Sequence, residues 1–221
     1  MKTEQCYSLP KYSAGEETVN SLSHLVGAIF GFAALIFFIN YQVKFDESLI
    51  SMMGYYIYSF FMIFMFSVSA IYHSRPFNSK SKAIWRVIDH IDIYFFISAT
   101  YTPICLYAFN NVTLGYTVLI INWSLAILAG ALNAISLTNK VIKTISMIAY
   151  VFIGWMIIFV NPLANGILES TYTFLLLGGF SFTIGAILYG IGSKKKWFHS
   201  IFHFFVLLGV LFQFVAVLTI L

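Results

Sequence analysis

The feature that most constrains this chain is a run of 45 residues, Ile93–Leu137, that contains no Asp, Glu, Lys or Arg. Soluble domains carry about 25% charged residues, whereas this 221-residue chain carries 9% and is 60% hydrophobic. A chain with so few polar side chains cannot cover its own surface for contact with water. Its apolar runs are continuous rather than alternating, which excludes a transmembrane β-barrel. The sequence therefore predicts an all-α integral membrane protein.

Seven apolar segments have the length that a membrane-spanning helix needs, about 20 residues for a hydrocarbon core of about 30 Å. The run Ile93–Leu137 is about twice that length, so we divide it at Asn110-Asn111 into two spans. The predicted spans cover residues 22–43, 49–73, 89–109, 113–136, 143–162, 171–192 and 198–220. We therefore expect a short N-terminal segment, residues 1–21, followed by one seven-helix transmembrane domain, residues 22–221.

The lysines and arginines are distributed unevenly among the segments outside these spans. Eleven of the 12 lie in the N-terminal segment or in the loops after spans 2, 4 and 6, and an arrangement of seven spans places all of these on one side. Because basic residues collect on the cytoplasmic side of a membrane, we expect a cytoplasmic N-terminus and a C-terminus outside. The same distribution explains the net charge of +4, so nucleic acid is not an expected partner.

Small residues in span 1 indicate a close helix contact. Gly27 and Gly31 form a G-x-x-x-G pattern, which lets two helix backbones approach each other in a membrane. We therefore expect a neighbouring helix to pack directly on this face of span 1.

All five histidines fall at the predicted cytoplasmic ends of the spans. They are His24 at the start of span 1, His73 at the end of span 2, His90 at the start of span 3, and His199 and His203 at the start of span 7. The same layer contains the polar residues Glu17, Asn20, Ser69, Asp89 and Asp92. Ionisable groups near a membrane helix are costly to bury, so this layer is the candidate functional region.

Two of the histidines share one helix face. His199 and His203 are four residues apart, a spacing that can present two imidazole nitrogens to one metal ion. A further nitrogen from His73 would complete three protein ligands, which with a water molecule is the arrangement of catalytic zinc sites. With no thiolate in the set, Zn²⁺ is the first expectation, and Fe, Ni and Co remain alternatives. Ordinary interfacial histidines and a bis-histidine haem site are the other interpretations of the pair.

Asp89 and Ser69 are candidate catalytic residues beside this site. The Asp89 carboxylate could orient a histidine or accept a proton from a metal-bound water. Ser69 precedes His73 by about one helical turn, and its hydroxyl could hydrogen-bond to the same carboxylate or to the water. Alternatively, Asp89 could cap the N-terminus of span 3, where a carboxylate suits the helix dipole.

The order of these residues resembles the hemolysin III family, the bacterial branch of the progestin and adipoQ receptor family. The resemblance rests on Glu17-x-x-Asn20-x-x-x-His24, Ser69-x-x-x-His73, Asp89-His90 followed by Tyr94 and Thr100-Tyr101-Thr102-Pro103, and His199-x-x-x-His203. It implies a seven-helix protein of the bacterial inner membrane with a cytoplasmic N-terminus. It also implies a zinc ion held by His73, His199 and His203, with Ser69 and Asp89 close to the metal. The wider group includes alkaline ceramidases, which hydrolyse lipid amides.

Three functions are compatible with these patterns. The first is a zinc-dependent hydrolase of a membrane-lipid amide or ester, in which a metal-bound water is the nucleophile, Asp89 takes the proton and Ser69 orients the water or stabilises the oxyanion. The second is a membrane-permeabilising protein, as the family name suggests. The third is a non-catalytic sensor or regulator of membrane composition, in which a structural zinc joins spans 2 and 7 and Asp89 is the fourth ligand.

Overall fold

The computed structural model describes residues 9–135, 139–164, 167–192 and 195–221. In these ranges the chain forms eight α-helices and no strand, which confirms the all-α prediction. The helices are α1 Ala14–Phe45, α2 Leu49–Ser74, α3 Lys80–Pro103, α4 Val112–Ile135, α5 Lys140–Gly154, α6 Met156–Ala164, α7 Glu169–Gly192 and α8 Phe198–Leu218. A π-helical turn, Ile104–Ala108, continues α3.

Six of the described helices are long and apolar enough to cross a membrane: α1, α2, α3 with its π-helical turn, α4, α7 and α8. The chain is therefore a multi-pass integral membrane protein. The fifth predicted span, residues 143–162, is divided between α5 and α6, which are separated at Trp155. The backbone of Trp155 adopts φ −93° and ψ 6°, outside the α-helical range, and this ends α5. The count of seven spans and the sidedness of the termini stay predictions.

Serine caps decide where two of the helices begin. Ser13 and Glu16 form a capping box at the start of α1, with the Ser13 backbone N–H donating to Glu16 Oε2 at 2.8 Å. Ser79 caps α3 by accepting a hydrogen bond from a backbone N–H in the first turn. As a result α1 begins at Ala14 rather than near residue 22, and α3 begins at Lys80 rather than near residue 89. The expected boundary at residue 22 lies within α1, because the polar first turns of this helix precede its apolar run.

The early start of α3 changes the place of Asp89 and of the basic residues before it. Asp89 lies well inside α3, so the interpretation of Asp89 as a helix cap is wrong. Lys80, Lys82 and Arg86, which the hydropathy pattern assigns to a loop, belong to the same helix. Lys82 is fully buried. Its charge therefore takes part in an internal interaction rather than in the surface distribution of basic residues.

The helix α1 packs against both α2 and α8, and α7 packs against α8. The close contact expected at the two glycines of α1 is confirmed. A Cβ atom at Gly27 would lie 2.6 Å from the ring of Phe66, and one at Gly31 would lie 2.9 Å from Cγ1 of Ile63. Both partners belong to α2, so the small residues allow α1 and α2 to approach closely.

Candidate metal centre

Three imidazole rings converge at one end of the helix bundle. The Nε2 atom of His199 lies 3.3 Å from Nε2 of His73 and 3.2 Å from Nε2 of His203. His73 comes from the last turn of α2, and the other two come from the beginning of α8. All three side chains are buried, and a ligand atom from each lies within 4.8 Å of the others. This group, named the three-histidine cluster below, can hold a metal ion.

The chemistry of the donors fits a metal ion. A neutral imidazole carries a proton on one ring nitrogen and a lone pair on the other. Three Nε2 atoms that face one another cannot all be satisfied by hydrogen bonds among themselves, and burying unsatisfied polar atoms is costly. A cation between the rings would engage the three lone pairs at once. Within the described ranges, no other group of three or more His, Cys, Asp or Glu side chains offers such a ligand set.

The opposite nitrogen of His73 is held by a carboxylate. Nδ1 of His73 lies 2.7 Å from Oε2 of Glu17, in the first turn of α1. An ionised carboxylate can only accept hydrogen bonds, so the pairing places the imidazole proton on Nδ1. The lone pair of His73 is then on Nε2, the atom that faces the other two histidines. Carboxylates commonly orient metal-binding histidines in this way.

Glu17 is anchored in turn by a buried lysine. Nζ of Lys82 lies 2.8 Å from Oε1 of Glu17. The same ammonium group donates to the backbone carbonyl of Tyr72 at 3.1 Å and to that of Arg75 at 3.2 Å. Three oxygen acceptors therefore surround the charge, which explains how a lysine can be buried here.

Asp89 and Ser69, the predicted catalytic residues, lie together near the cluster. The Ser69 hydroxyl lies close to the Asp89 carboxylate. His90 lies beside the same carboxylate, with Nδ1 3.6 Å from Oδ2 of Asp89. Its other nitrogen, Nε2, lies 3.1 Å from the hydroxyl of Tyr189 on α7. A chain of polar groups thus runs from Ser69 through Asp89 and His90 to α7.

A cavity of about 240 Å³ adjoins these residues. Six side chains of the polar layer line one part of it: His24, Ser69, Asp89, His90, His199 and His203. Most of the remaining lining consists of aliphatic and aromatic side chains from α3, α5, α6, α7 and α8. The cavity therefore joins the polar layer predicted from the sequence to an apolar space inside the bundle, which the sequence did not predict.

Two aromatic rings cover the histidines that come from α8. The ring of Tyr12 stacks on His199 with centroids 4.5 Å apart and planes inclined by 17°. Burial raises the pKa of the Tyr12 hydroxyl above its usual range, so this residue is neutral. The ring of His24 stacks on His203 with a centroid distance of 3.8 Å. His24 thus lies next to the three-histidine cluster but outside it, and His90 also lies outside it.

Three residues of this centre have roles that the sequence interpretation missed: Tyr12, Glu17 and Lys82. Glu17 had a recognisable sign, because it shares the polar layer with Asn20 and His24. Tyr12 lies before the apolar part of α1, and Lys82 lies in a basic segment that has the composition of a surface loop. Neither residue therefore belongs to a local sequence pattern that indicates the candidate metal centre.

Comparison with known proteins connects this arrangement to a family. The family profile described as Haemolysin-III related matches residues 12–214. The chain is 35% identical over 208 residues to a hemolysin-3 homolog of Bacillus subtilis (strain 168), covering 94% of this chain and 95% of that protein. It is 33% identical over 204 residues to the hemolysin-3 of Bacillus cereus, covering 92% of this chain and 90% of that protein. Because the matches span nearly the whole sequence, the resemblance is confirmed: the chain belongs to the hemolysin III family.

Proposed function

We propose that this protein is a zinc-dependent hydrolase that cleaves an amide or ester bond of a lipid in the bacterial inner membrane. The observation that carries the proposal is the convergence of three buried Nε2 atoms beside a carboxylate and a largely apolar cavity. His73, His199 and His203 would hold the ion. When bound, Zn²⁺ lowers the pKa of a coordinated water towards about 7 and so supplies a nucleophile at neutral pH.

Asp89 is the proposed proton carrier of the reaction. Its carboxylate would accept the proton of the attacking water and return it to the nitrogen or oxygen of the leaving group. A hydrogen bond from the nearby Ser69 hydroxyl would fix the orientation of that carboxylate. His90 is placed to pass protons onward, because it lies between Asp89 and the hydroxyl of Tyr189.

The apolar part of the cavity supports a lipid as the substrate. Side chains of α2, α3, α5, α6, α7 and α8 form this space inside the bundle, where an acyl chain would be shielded from water. With the N-terminus in the cytoplasm, as the basic residues predict, the centre would face the inner leaflet. A lipid of that leaflet would then reach the cavity laterally, between helices.

Metal analysis of the detergent-purified protein is the first test. Elemental mass spectrometry of the wild type should find about one zinc per chain, and the His199→Ala/His203→Ala double variant should have lost it. Absence of metal from the wild type, even after reloading, would refute the proposal.

Asp89→Asn then separates catalysis from metal binding. The variant should retain zinc and lose about 10²- to 10⁴-fold in turnover of lipid amides or esters, the usual contribution of a general acid–base group. Unchanged turnover would remove Asp89 from the mechanism. A loss of zinc in this variant would instead support the non-catalytic alternative, in which Asp89 is the fourth ligand of a structural zinc.

Membrane permeabilisation is the second candidate, because both relatives carry the name hemolysin-3. A water-filled pore needs polar groups along the depth of several spans. The cavity of this chain is mostly apolar away from the polar layer, which argues against such a pore. We therefore expect no conductance from purified protein in planar bilayers. Reproducible single-channel currents that are absent from an equally purified unrelated membrane protein would support permeabilisation.

A further inference from the structure

We propose that the first turn of α1 is a clamp that positions the metal ligands of two different helices. Glu17 holds His73 at the end of α2, and its neighbour Glu16 holds the residue two positions before His199, at the start of α8. Both are positioning residues, since neither belongs to the three-histidine cluster. The proposal rests on the metal-binding part of the proposed function and is independent of hydrolysis.

The contact of Glu17 with His73, called the Glu17 arm of the clamp, determines which nitrogen of His73 carries the proton. The contact of Glu16 with Trp197 is called the Glu16 arm. Two groups approach Nδ1 of His73: Oε2 of Glu17 at 2.7 Å and Nδ2 of Asn20 at 3.5 Å. The amide of Asn20 is a donor and would require Nδ1 to be an acceptor, whereas the carboxylate requires it to be a donor. The shorter and charge-assisted bond to Glu17 is the stronger one. It leaves Nε2 of His73 as the lone-pair donor to the metal.

Lys82 makes this arm rigid. The side chain of Glu17 is 18% exposed, while that of Lys82 is 0% exposed and is held by the backbone carbonyls of Tyr72 and Arg75. The ammonium group therefore fixes Oε1 of Glu17 from inside the protein. Because Tyr72 immediately precedes His73, the same lysine ties the carboxylate to the chain segment that carries the ligand.

The Glu16 arm acts on α8. Oε1 of Glu16 accepts a hydrogen bond from the backbone N–H of Trp197 at 2.6 Å. Its other carboxylate oxygen is held by Ser13, whose hydroxyl lies 2.7 Å away. Trp197 is the residue directly before α8 and has φ 68°, a left-handed conformation that is unfavourable for a residue with a side chain. The hydrogen bond from Trp197 to Glu16 helps to hold this conformation and thereby fixes the position where α8 begins.

The two arms matter because the ligands come from separate helices. A zinc–nitrogen bond is about 2.0–2.1 Å long and tolerates little variation. The relative placement of α2 and α8 therefore decides whether three nitrogens can reach one ion. The helix α1 packs against both of them. Glu16 and Glu17 are adjacent in the first turn of α1, and each carboxylate contacts the segment that carries one set of ligands. The pair can therefore set the placement of α2 relative to α8.

Competition for zinc with a calibrated chelator tests the clamp on the full-length protein in detergent. Glu17→Gln keeps the size of the side chain but removes its charge, and it should weaken zinc binding roughly 10- to 100-fold, the usual effect of losing such a partner. Glu16→Gln should weaken binding in the same direction. Glu47→Gln is the matched control, because Glu47 is exposed near the opposite end of α1, and it should bind zinc as the wild type does.

A second measurement separates positioning from general stability. The melting temperature of each metal-free variant, compared with its zinc affinity, shows whether the loss is specific to the site. Zinc affinity of Glu17→Gln equal to that of the control would overturn the clamp, whatever its melting temperature. If Glu17→Gln does not fold, Glu17→Asp decides: its shorter carboxylate should weaken zinc binding measurably, and unchanged affinity would overturn the clamp. A wild type that binds no zinc would refute the proposed function and the clamp together, whereas normal zinc binding in every variant would refute the clamp alone.

Discussion

The contact between α1 and α2 at Gly27 gives a sharp test of the packing around the candidate metal centre. A Cβ atom at this position would lie 2.6–2.7 Å from three atoms of the Phe66 ring. Carbon atoms in favourable contact are about 3.5–4.0 Å apart, so a side chain at residue 27 would displace this ring by about 1 Å. Phe66 is 0% exposed, so protein atoms enclose its ring. Its ring contacts His24 edge-on, and His24 stacks on His203, so the displacement would reach a member of the three-histidine cluster.

The expected effect of Gly27→Leu follows from these contacts. Overpacking a well-filled interior lowers the free energy of unfolding by about 1–3 kcal/mol. Because leucine adds four carbon atoms, we take the upper value of about 3 kcal/mol. The better helix propensity of leucine offsets about 1 kcal/mol of this. The free energy of unfolding should therefore fall by about 2 kcal/mol. For a chain of this size 1 kcal/mol corresponds to about 2–4 °C in melting temperature, so the variant should melt about 4–8 °C below the wild type.

Thermal unfolding in detergent, followed by tryptophan fluorescence at one fixed scan rate, measures this difference even if unfolding is irreversible. Gly190→Leu is the control, because a Cβ atom at Gly190 would meet no atom within 4 Å. This control should melt at or slightly above the temperature of the wild type. Equal melting temperatures for the two leucine variants would refute the reasoning, since the prediction depends on the contact with Phe66, which Gly190 lacks.

Three further predictions concern other parts of the chain. Gly115→Ala should reduce the yield of monodisperse protein several-fold in size-exclusion chromatography, because its Cβ would lie 2.2 Å from the carbonyl oxygen of Cys105. Gly154→Ala should match the wild type, because a Cβ atom at Gly154 would meet no atom within 4 Å. Cys105 is 3% exposed, so in a Cys6→Ser background the native protein should resist maleimide until it is unfolded, and rapid labelling of native protein would contradict this burial. Seven spans with the C-terminus outside predict that alkaline phosphatase fused after Leu221 is active and that green fluorescent protein fused there is dark. The opposite pair of results would require the C-terminus to be cytoplasmic.

The class of the protein and one part of its site could be predicted from local patterns. The uncharged run Ile93–Leu137 is sufficient to indicate membrane helices, because the cost of placing polar groups in hydrocarbon depends mainly on composition. The shared face of His199 and His203 follows from the helical period of 3.6 residues. Both features depend only on residues that are close together in the sequence, so they could be predicted without the tertiary structure. His73 could be added as a candidate third ligand from its place at the end of the second span and from the family resemblance, and the structure brings it next to the other two histidines.

The starting residues of α1 and α3 could not be predicted from hydropathy. Ser13 and Ser79 cap α1 and α3 several residues before the apolar runs begin, so both helices start earlier than predicted. A capped polar turn is stabilised by hydrogen bonds to its own backbone rather than by transfer into lipid. This difference moved Asp89 from the predicted start of a helix to a position inside α3.

Only the tertiary structure decided how the candidate metal centre is held together. Glu17 and His73 are 56 residues apart in sequence, and His73 and His199 are 126 apart, yet their side chains are in direct contact. Lys82 has the sequence context of a basic loop, but it is buried because the end of α2 and the first turn of α1 supply its oxygen partners. Such pairings depend on which helix ends are brought side by side, and no periodicity within one segment encodes that arrangement. Composition and period thus determined the helices and the histidine pair, whereas the packing of α1 against α2 and α8 decided which carboxylate and which lysine support the site.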